Sequence, residues 1–143
     1  MREGVLAAPA GDGRIAMIDP RDTAAVAARI LAEGGHSGSE HVLTGPEPIR
    51  FADAASLLTA VTRRHVEYVD VPDEAARAAF VAAGLPGWLV AHLSALFPLV
   101  RADALAETTG TVHALTGRPP RAFSDFATDV AHVFSEPVGA EHR

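Results

Sequence analysis

The sequence predicts an α/β fold in which three short strands with flanking helices, most economically paired in parallel, precede a helical carboxyl-terminal part. In the first half, apolar runs typical of strands alternate with amphipathic stretches of helical spacing. After Pro72 the apolar residues keep helical spacing throughout. The length of 143 residues suits one compact domain. We expect residues 1–135 to form that domain and residues 136–143 to be a flexible tail.

The first strand and helix are predicted by adjacent signals. Residues 14–19 form an apolar run after a Gly-Asp-Gly turn, which indicates a buried strand. Asp19 can accept hydrogen bonds from the free amides of a first helical turn, and Pro20 suits the first helical position. Asp22 adds a second carboxylate near the same amides. The helix is expected to end at Gly34.

Two further strands frame a second helix. Residues 41–44, His-Val-Leu-Thr, are predicted to form a short strand that runs into Gly45-Pro46, and residues 66–71 alternate in the manner of a strand. Between them, the spacing predicts an amphipathic helix from Phe51 to about Arg63. Strands separated by helices of these lengths favour parallel pairing through right-handed crossovers.

The second half is predicted to be helical. Breaking residues divide it into segments at 73–83, closed by Gly84, at 86–97, closed by Pro98, at 101–115, where the pattern is weaker, and at 123–134. The last of these places Phe123, Phe126, Val130 and Phe134 on one inward stripe.

Composition excludes several classes of function. The 12 basic residues are all arginine and are scattered, and with 18 acidic residues the net charge is −6, so a nucleic acid partner is not expected. No apolar run approaches the roughly 20 residues of a membrane-spanning helix. There is no cysteine, which excludes disulfides and thiol chemistry. With no secretory signal either, we expect a cytoplasmic protein.

Five segments carry a resemblance to a known family: residues 9–22, 42–46, 66–72, 84–88 and 116–123. In this order they resemble the carboxyl-terminal half of the NmrA-like NAD(P)H-binding proteins, the atypical short-chain dehydrogenase group that includes quinone and azo reductases. The resemblance covers nearly the whole chain and implies a truncated Rossmann-like fold that forms a substrate cleft.

The family's dinucleotide-binding signature is missing from the sequence. Its members hold the dinucleotide with a glycine-rich turn between a strand and a helix, where the backbone can approach the pyrophosphate. Here the glycines at 11 and 13 precede a predicted strand, and those at 34, 35 and 38 follow a helix. We therefore expect no cofactor to be bound by this chain in the family's way.

Three residues are candidate catalytic groups. His92 shares a helical row with Trp88 and Leu96, where it can be an acid, a base or a polar anchor. It can equally be a partly buried histidine hydrogen-bonded to a neighbour, or a histidine at the edge of the helix. Tyr68 and Asp70 share one face of the third strand and can orient a substrate hydroxyl or carbonyl. A strand tyrosine can equally serve packing alone.

The resemblance also implies that this helical region walls the substrate cleft. Candidate substrate-binding residues are Trp88, Leu89, Leu96, Arg101 and Asp103. For the last two, a surface ion pair is an equal alternative.

Other charged groups have structural and functional interpretations. Asp19 and Asp22 resemble a catalytic carboxylate pair, but helix capping accounts for both. A metal site at Asp125, Asp129 and His132 is not expected, because their helix face is mostly solvated. The arginines at 118 and 121 flank two prolines and either hold an anionic group or belong to a rigid solvent loop.

The leading functional hypothesis is a free-standing substrate-cleft domain that binds a hydrophobic or quinone-like metabolite. It would catalyse a cofactor-independent isomerisation or cyclisation in specialised metabolism. One alternative is the substrate half of an NAD(P)H-dependent oxidoreductase that needs a separate cofactor-binding chain. Another is a non-catalytic ligand-binding or assembly module. In each case we expect a homodimer or an obligate partner chain to cover the open sheet edges.

Overall fold

The structure is a computed structural model and describes residues 4–132. Within these residues the strands are β1 (Val5–Ala8), β2 (Arg14–Ile15), β3 (Ile49–Arg50) and β4 (Glu67–Asp70). The helices are α1 (Pro20–Glu33), α2 (Phe51–Thr62), α3 (Asp73–Ala82), α4 (Gly87–Arg101), α5 (Thr111–Thr116) and α6 (Phe123–Asp129). The α/β class predicted from the sequence is confirmed. The expected tail at residues 136–143 lies outside the described residues.

The strands form two small sheets. β1 and β4 pair in parallel, with Val5 opposite Glu67 and Ala8 opposite Asp70, so the one predicted strand that pairs in parallel within residues 4–132 does so with a strand that was not among those predicted. β2 and β3 pair antiparallel, so parallel pairing does not extend to β2. β1 itself was not predicted, because its Val-Leu-Ala-Ala sequence is short and its alanines have little strand preference.

Two strand predictions are corrected. The strand expected at residues 14–19 ends at Ile15, after which Ala16 donates to the carbonyl of Leu105 and accepts from the amide of Gly45. Residues 41–44 form no strand. Thr109 holds this segment instead, because its amide donates to Thr44 Oγ1 over 2.8 Å and its hydroxyl donates to the carbonyl of Val42 over 2.8 Å. Within residues 4–132 no neighbouring strand supplies a ladder for it.

The first three helices match their predictions closely. The Asp19 side chain accepts from the amide of Arg21 over 2.8 Å, Pro20 opens α1, and Gly34 follows its end with a φ of 67°. The predicted cap is therefore present.

The later helices differ from their predictions. α4 continues through Pro98 to Arg101, although proline removes one backbone hydrogen bond from a helix. Burial offsets that loss, since Phe97 is 7% exposed and Val100 is fully buried. Of the weak stretch at residues 101–115, Arg101 ends α4 and only the part after Gly110 forms a further helix. The end of the last predicted helix, with Phe134, lies outside the described residues.

The core consists of two clusters that meet at one tyrosine. The first cluster is built on Ala8, Ala10, Phe97 and Val100, and the second on Ala55, Leu58, Val66 and Ala127. Tyr68 packs against both. β4 therefore lies between α4 on one side and the α2 and α6 pair on the other. No helix within residues 4–132 has the length and apolar character needed to cross a membrane.

Candidate functional site

Tyr68 and Asp70 come together in the structure, at the turn that follows β1. The Tyr68 hydroxyl lies 3.1 Å from the carbonyl oxygen of Ala8, 3.2 Å from that of Gly11 and 3.3 Å from Asp70 Oδ1. Asp70 Oδ1 also accepts from the amide of Gly11 over 2.9 Å. Burial raises the pKa of Tyr68, and the Asp70 charge raises it further. The pair joins β4 to the turn, and a role in chemistry stays a prediction.

The α4 candidates lie on different faces of their helix. His92 is exposed and Trp88 is 72% exposed, whereas Leu89 is only partly exposed. Leu96 packs against the first core cluster. No hydrogen bond among the described residues joins His92 to Tyr68 or Asp70. The described residues therefore show no hydrogen-bonded link between His92 and the two strand candidates.

Arg101 and Asp103 are engaged in ion pairs with partners far along the chain. The Arg101 guanidinium binds both carboxylate oxygens of Asp73, over 2.8 and 2.9 Å, and also the carbonyl of Pro9. Asp103 accepts from the Arg14 amide over 2.7 Å and from Arg14 Nη2 over 2.9 Å. Both residues therefore have the ion-pair role that the sequence left open as an alternative.

A pocket of ≈ 400 Å³ lies elsewhere, between the chain that leads into α1 and the start of α6. Such a volume suits a small molecule. Its lining is mostly apolar and consists of Ile15, Met17, Ile18, Asp19, Pro20, Arg121, Ala122, Phe123 and Phe126. None of the leading catalytic candidates (His92, Tyr68 and Asp70) and none of the candidate substrate-binding residues on or just after α4 lines it, whereas Asp19 and Arg121, which the sequence also singled out, do. It is a candidate ligand site in the part of the chain that the structure describes.

Two aromatic rings form one wall of the pocket. The ring centroids of Phe123 and Phe126 lie 5.9 Å apart with planes tilted by 41°. Such faces offer contact area to a flat conjugated ring. From the sequence, both phenylalanines are expected to face the core, and the opening beside them is visible only once α6 is placed against residues 15–20.

The carboxylate in the lining, Asp19, is buried and fully engaged. It is 4% exposed and accepts from the amide, Nε and Nη2 of Arg21, at distances from 2.6 to 3.1 Å. The hydrogen bonds from the Arg21 side chain hold the pKa of Asp19 below its ordinary value. Asp19 is therefore held in place, and both of its carboxylate oxygens already accept hydrogen bonds from Arg21. This makes Asp19 a poor base for removing a proton from a substrate.

Asp22 differs from its predicted role as a second helix cap. Its carboxylate, 4% exposed, accepts from the Arg121 amide over 2.7 Å and from Arg121 Nη1. A second ion pair runs from Arg21 Nη1 to Asp129 over 2.6 Å. The first turn of α1 thus holds both the loop before α6 and α6 itself. Two ion pairs fix the position of the aromatic wall.

The metal interpretation of the last helix has no geometric support in residues 4–132. Asp129 is engaged with Arg21. Within these residues no group of three histidine, aspartate or glutamate side chains is placed to hold an ion.

The glycine turns do not fit a dinucleotide pyrophosphate. A Cβ on Gly13 would lie 2.1 Å from the carbonyl oxygen of Val100, so this glycine permits close packing of the turn against the end of α4. The turn leads into β2 and not into a helix, and its Gly11 amide is already bound to Asp70. The glycines at 34, 35 and 38 follow a helix. Neither place combines a strand, an open glycine turn and a helix N-terminus.

Comparison with known proteins finds reductases among the relatives of this chain. It is 38% identical over 126 residues to an NAD(P)H azoreductase of Xenophilus azovorans, covering 88% of this chain and 44% of that protein. It is 30% identical over 135 residues to quinone oxidoreductase 2 of Escherichia coli, covering 94% and 46%. No family model matches.

Solved structures show the same relationship. An NADPH-dependent quinone oxidoreductase from Escherichia coli superimposes with a TM-score of 0.76 at 31% identity, over 92% of this chain and 46% of the other. The chain spans about half the length of the curated relatives it matches. These relatives favour the oxidoreductase alternative over a cofactor-independent isomerase or cyclase. The homologues of this chain are NmrA-like proteins of the NAD(P)H azoreductase and quinone oxidoreductase type, and its fold matches about half of a Rossmann-like reductase.

Proposed function

We propose that this chain is the substrate-binding half of an NAD(P)H-dependent oxidoreductase that acts on quinones or related flat, conjugated acceptors. The dinucleotide is bound by residues other than these 143. Its relatives include an NAD(P)H azoreductase and a quinone oxidoreductase, which supports the reaction class. The glycine turns of this chain do not fit a pyrophosphate, which supports the proposal that other residues bind the dinucleotide.

The single observation that carries the proposal is the apolar pocket beside α6. Its walls of aliphatic side chains and two phenylalanine rings suit a fused aromatic or quinonoid ring, since burial of apolar area stabilises such a complex. Asp19 is held ionised by Arg21, so it is a poor proton donor for an isomerase or cyclase. Reduction by an external hydride donor requires less acid–base chemistry from this pocket.

The sheet of β1 and β4 supports the proposal of a partner. Parallel sheets are normally larger and covered on both faces, and two strands alone are marginally stable. Val5 is 36% exposed on β1, and Glu67 opposite it on β4 is exposed. We propose that an obligate partner, or a second copy of the chain, covers this sheet.

Filling the pocket should abolish ligand binding. Ala122 lines the pocket and makes no side-chain cap to α6, so Ala122→Leu adds apolar volume inside the cavity. We expect the dissociation constant for menadione, 2-methyl-1,4-naphthoquinone, to rise at least about tenfold, because steric overlap removes contacts each worth a fraction of a kcal/mol. Isothermal titration calorimetry measures the change.

The matched control is Ala52→Leu, which makes the same substitution at an exposed position of α2. It should bind menadione as the wild type does. If Ala122→Leu also retains wild-type affinity, the ligand does not occupy this pocket and the proposed function is wrong.

A further inference from the structure

Arg121 is the charged side chain of the pocket that retains hydrogen-bonding capacity. A guanidinium has five N–H donors. Among the described residues, the side-chain hydrogen bonds of Arg121 involve Nη1 alone, which binds Asp22. By contrast, Arg21 uses Nε, Nη1 and Nη2, all on Asp19 and Asp129. Within residues 4–132, Nε and Nη2 of Arg121 therefore make no hydrogen bond to the protein, which leaves their N–H groups for a ligand.

The position of Arg121 is fixed from both ends. Its backbone amide and its Nη1 bind the two carboxylate oxygens of one buried residue, Asp22. The side chain lines the pocket and is 38% exposed. A guanidinium held in this way loses less conformational entropy when it binds a further acceptor.

From this geometry we infer that Arg121 is a specificity-determining residue of the pocket, which donates from Nε or Nη2 to an oxygen on the ring of the ligand. Asp22 is its positioning residue. The inference rests on the proposed function, because it takes the pocket beside α6 as the substrate site. The proposed function depends on the shape of the pocket, whereas this inference adds a hydrogen bond. The hydrogen bond would make the pocket prefer a ring that carries an oxygen to a hydrocarbon ring of the same shape.

The charges around the pocket favour a neutral oxygen. Arg121 and Arg21 face three carboxylates, those of Asp19, Asp22 and Asp129. The cluster therefore has no excess positive charge to stabilise an anionic group. A carbonyl accepts from the free donors without adding negative charge, so Arg121 should prefer a carbonyl to a carboxylate.

Three probes of similar shape test the inference: menadione, 2-methylnaphthalene, which has no oxygen, and 1-naphthoate. We expect the wild-type chain to bind menadione about tenfold more tightly than 2-methylnaphthalene, the usual gain for a hydrogen bond to a charged group. Naphthoate should bind more weakly than menadione. Because the chain has no cysteine, menadione cannot alkylate a thiol.

Variants assign the preference to Arg121. Arg121→Met should bring the affinities for menadione and 2-methylnaphthalene within about twofold, by loss of the charged hydrogen bond. The double variant Asp22→Asn with Arg121→Met avoids an unpaired buried carboxylate and should show the same loss. Arg118→Met, in the same loop but exposed and outside the pocket lining, should keep the wild-type preference.

The single variant Asp22→Asn tests whether Asp22 positions Arg121 for the ligand or only stabilises the pocket wall. It should weaken menadione binding and leave 2-methylnaphthalene binding unchanged, which a merely structural role would not do. The inference is overturned if the wild type binds menadione and 2-methylnaphthalene equally, if both Arg121 variants keep the preference, or if naphthoate binds most tightly. If no probe binds, the proposed function fails and the inference fails with it.

Discussion

Gly13→Ala is expected to lower the free energy of unfolding by about 3 kcal/mol, the upper part of the range for over-packing. The new Cβ would lie 2.1 Å from the carbonyl oxygen of Val100 and 2.7 Å from the Cα of Arg101. These are backbone atoms at the end of α4, so no side-chain rotation relieves the overlap. Urea denaturation followed by circular dichroism measures the change.

Gly87→Ala is the matched control. Gly87 begins α4, and a Cβ there meets nothing within 4 Å. Stability should stay unchanged or rise slightly, because alanine favours helix. Equal stability of the two variants would mean that the turn after β1 is not packed against α4, and would reopen a ligand-binding role for its glycines.

Asp22→Ala is expected to lower the free energy of unfolding by about 2 kcal/mol. The substitution removes a buried acceptor of two hydrogen bonds and leaves Arg121 without its carboxylate. The loss should be below the 3–5 kcal/mol of a fully buried pair, because Arg121 is 38% exposed and can be hydrated. Thermal and urea unfolding both report it.

Asp129→Ala provides the comparison for Asp22→Ala. Asp129 also joins α1 to α6, but its side chain is 54% exposed, so we expect a loss of less than about 1 kcal/mol. An equal loss of unfolding free energy in both variants would mean that Asp22 does not hold the pocket wall more firmly than Asp129 does. That result would contradict the proposed role of Asp22 in positioning Arg121.

Features set by neighbouring residues were predicted well from the sequence. The cap at Asp19, the proline after it and the glycine at 34 bounded α1 correctly, because each acts on its own helix end. Alternation over residues 66–71 located β4. The family resemblance, carried by five short segments in order, is supported by relatives at 30% identity and above.

Features that depend on contacts between residues far apart in the chain could not be predicted from the local sequence. Proline usually ends a helix, but burial of Phe97 and Val100 carries α4 past Pro98. Residues 41–44 have strand character, but a strand needs a neighbour, and the described residues supply none. The local sequence shows how readily a segment forms a strand, but it does not show whether a neighbouring strand is present to pair with it.

The pocket was missed for the same reason. Its two sides are more than a hundred residues apart in the chain, and Asp22 contacts Arg121 across a separation of 99 residues. One signal was present, since Arg121 stood out beside two prolines as a possible anion-holding group. Nothing in the local pattern connected it to Asp22, whose position in the first turn of α1 was explained by capping.

Titration of the wild-type chain with menadione and, separately, with NADPH tests the central claim most directly. The pocket predicts saturable binding of menadione that Ala122→Leu removes. The glycine turn after β1 is packed against the end of α4, so we expect the chain alone not to bind NADPH. Micromolar affinity for NADPH, or menadione binding that Ala122→Leu leaves intact, would contradict the account of this chain as the substrate-binding half of a reductase.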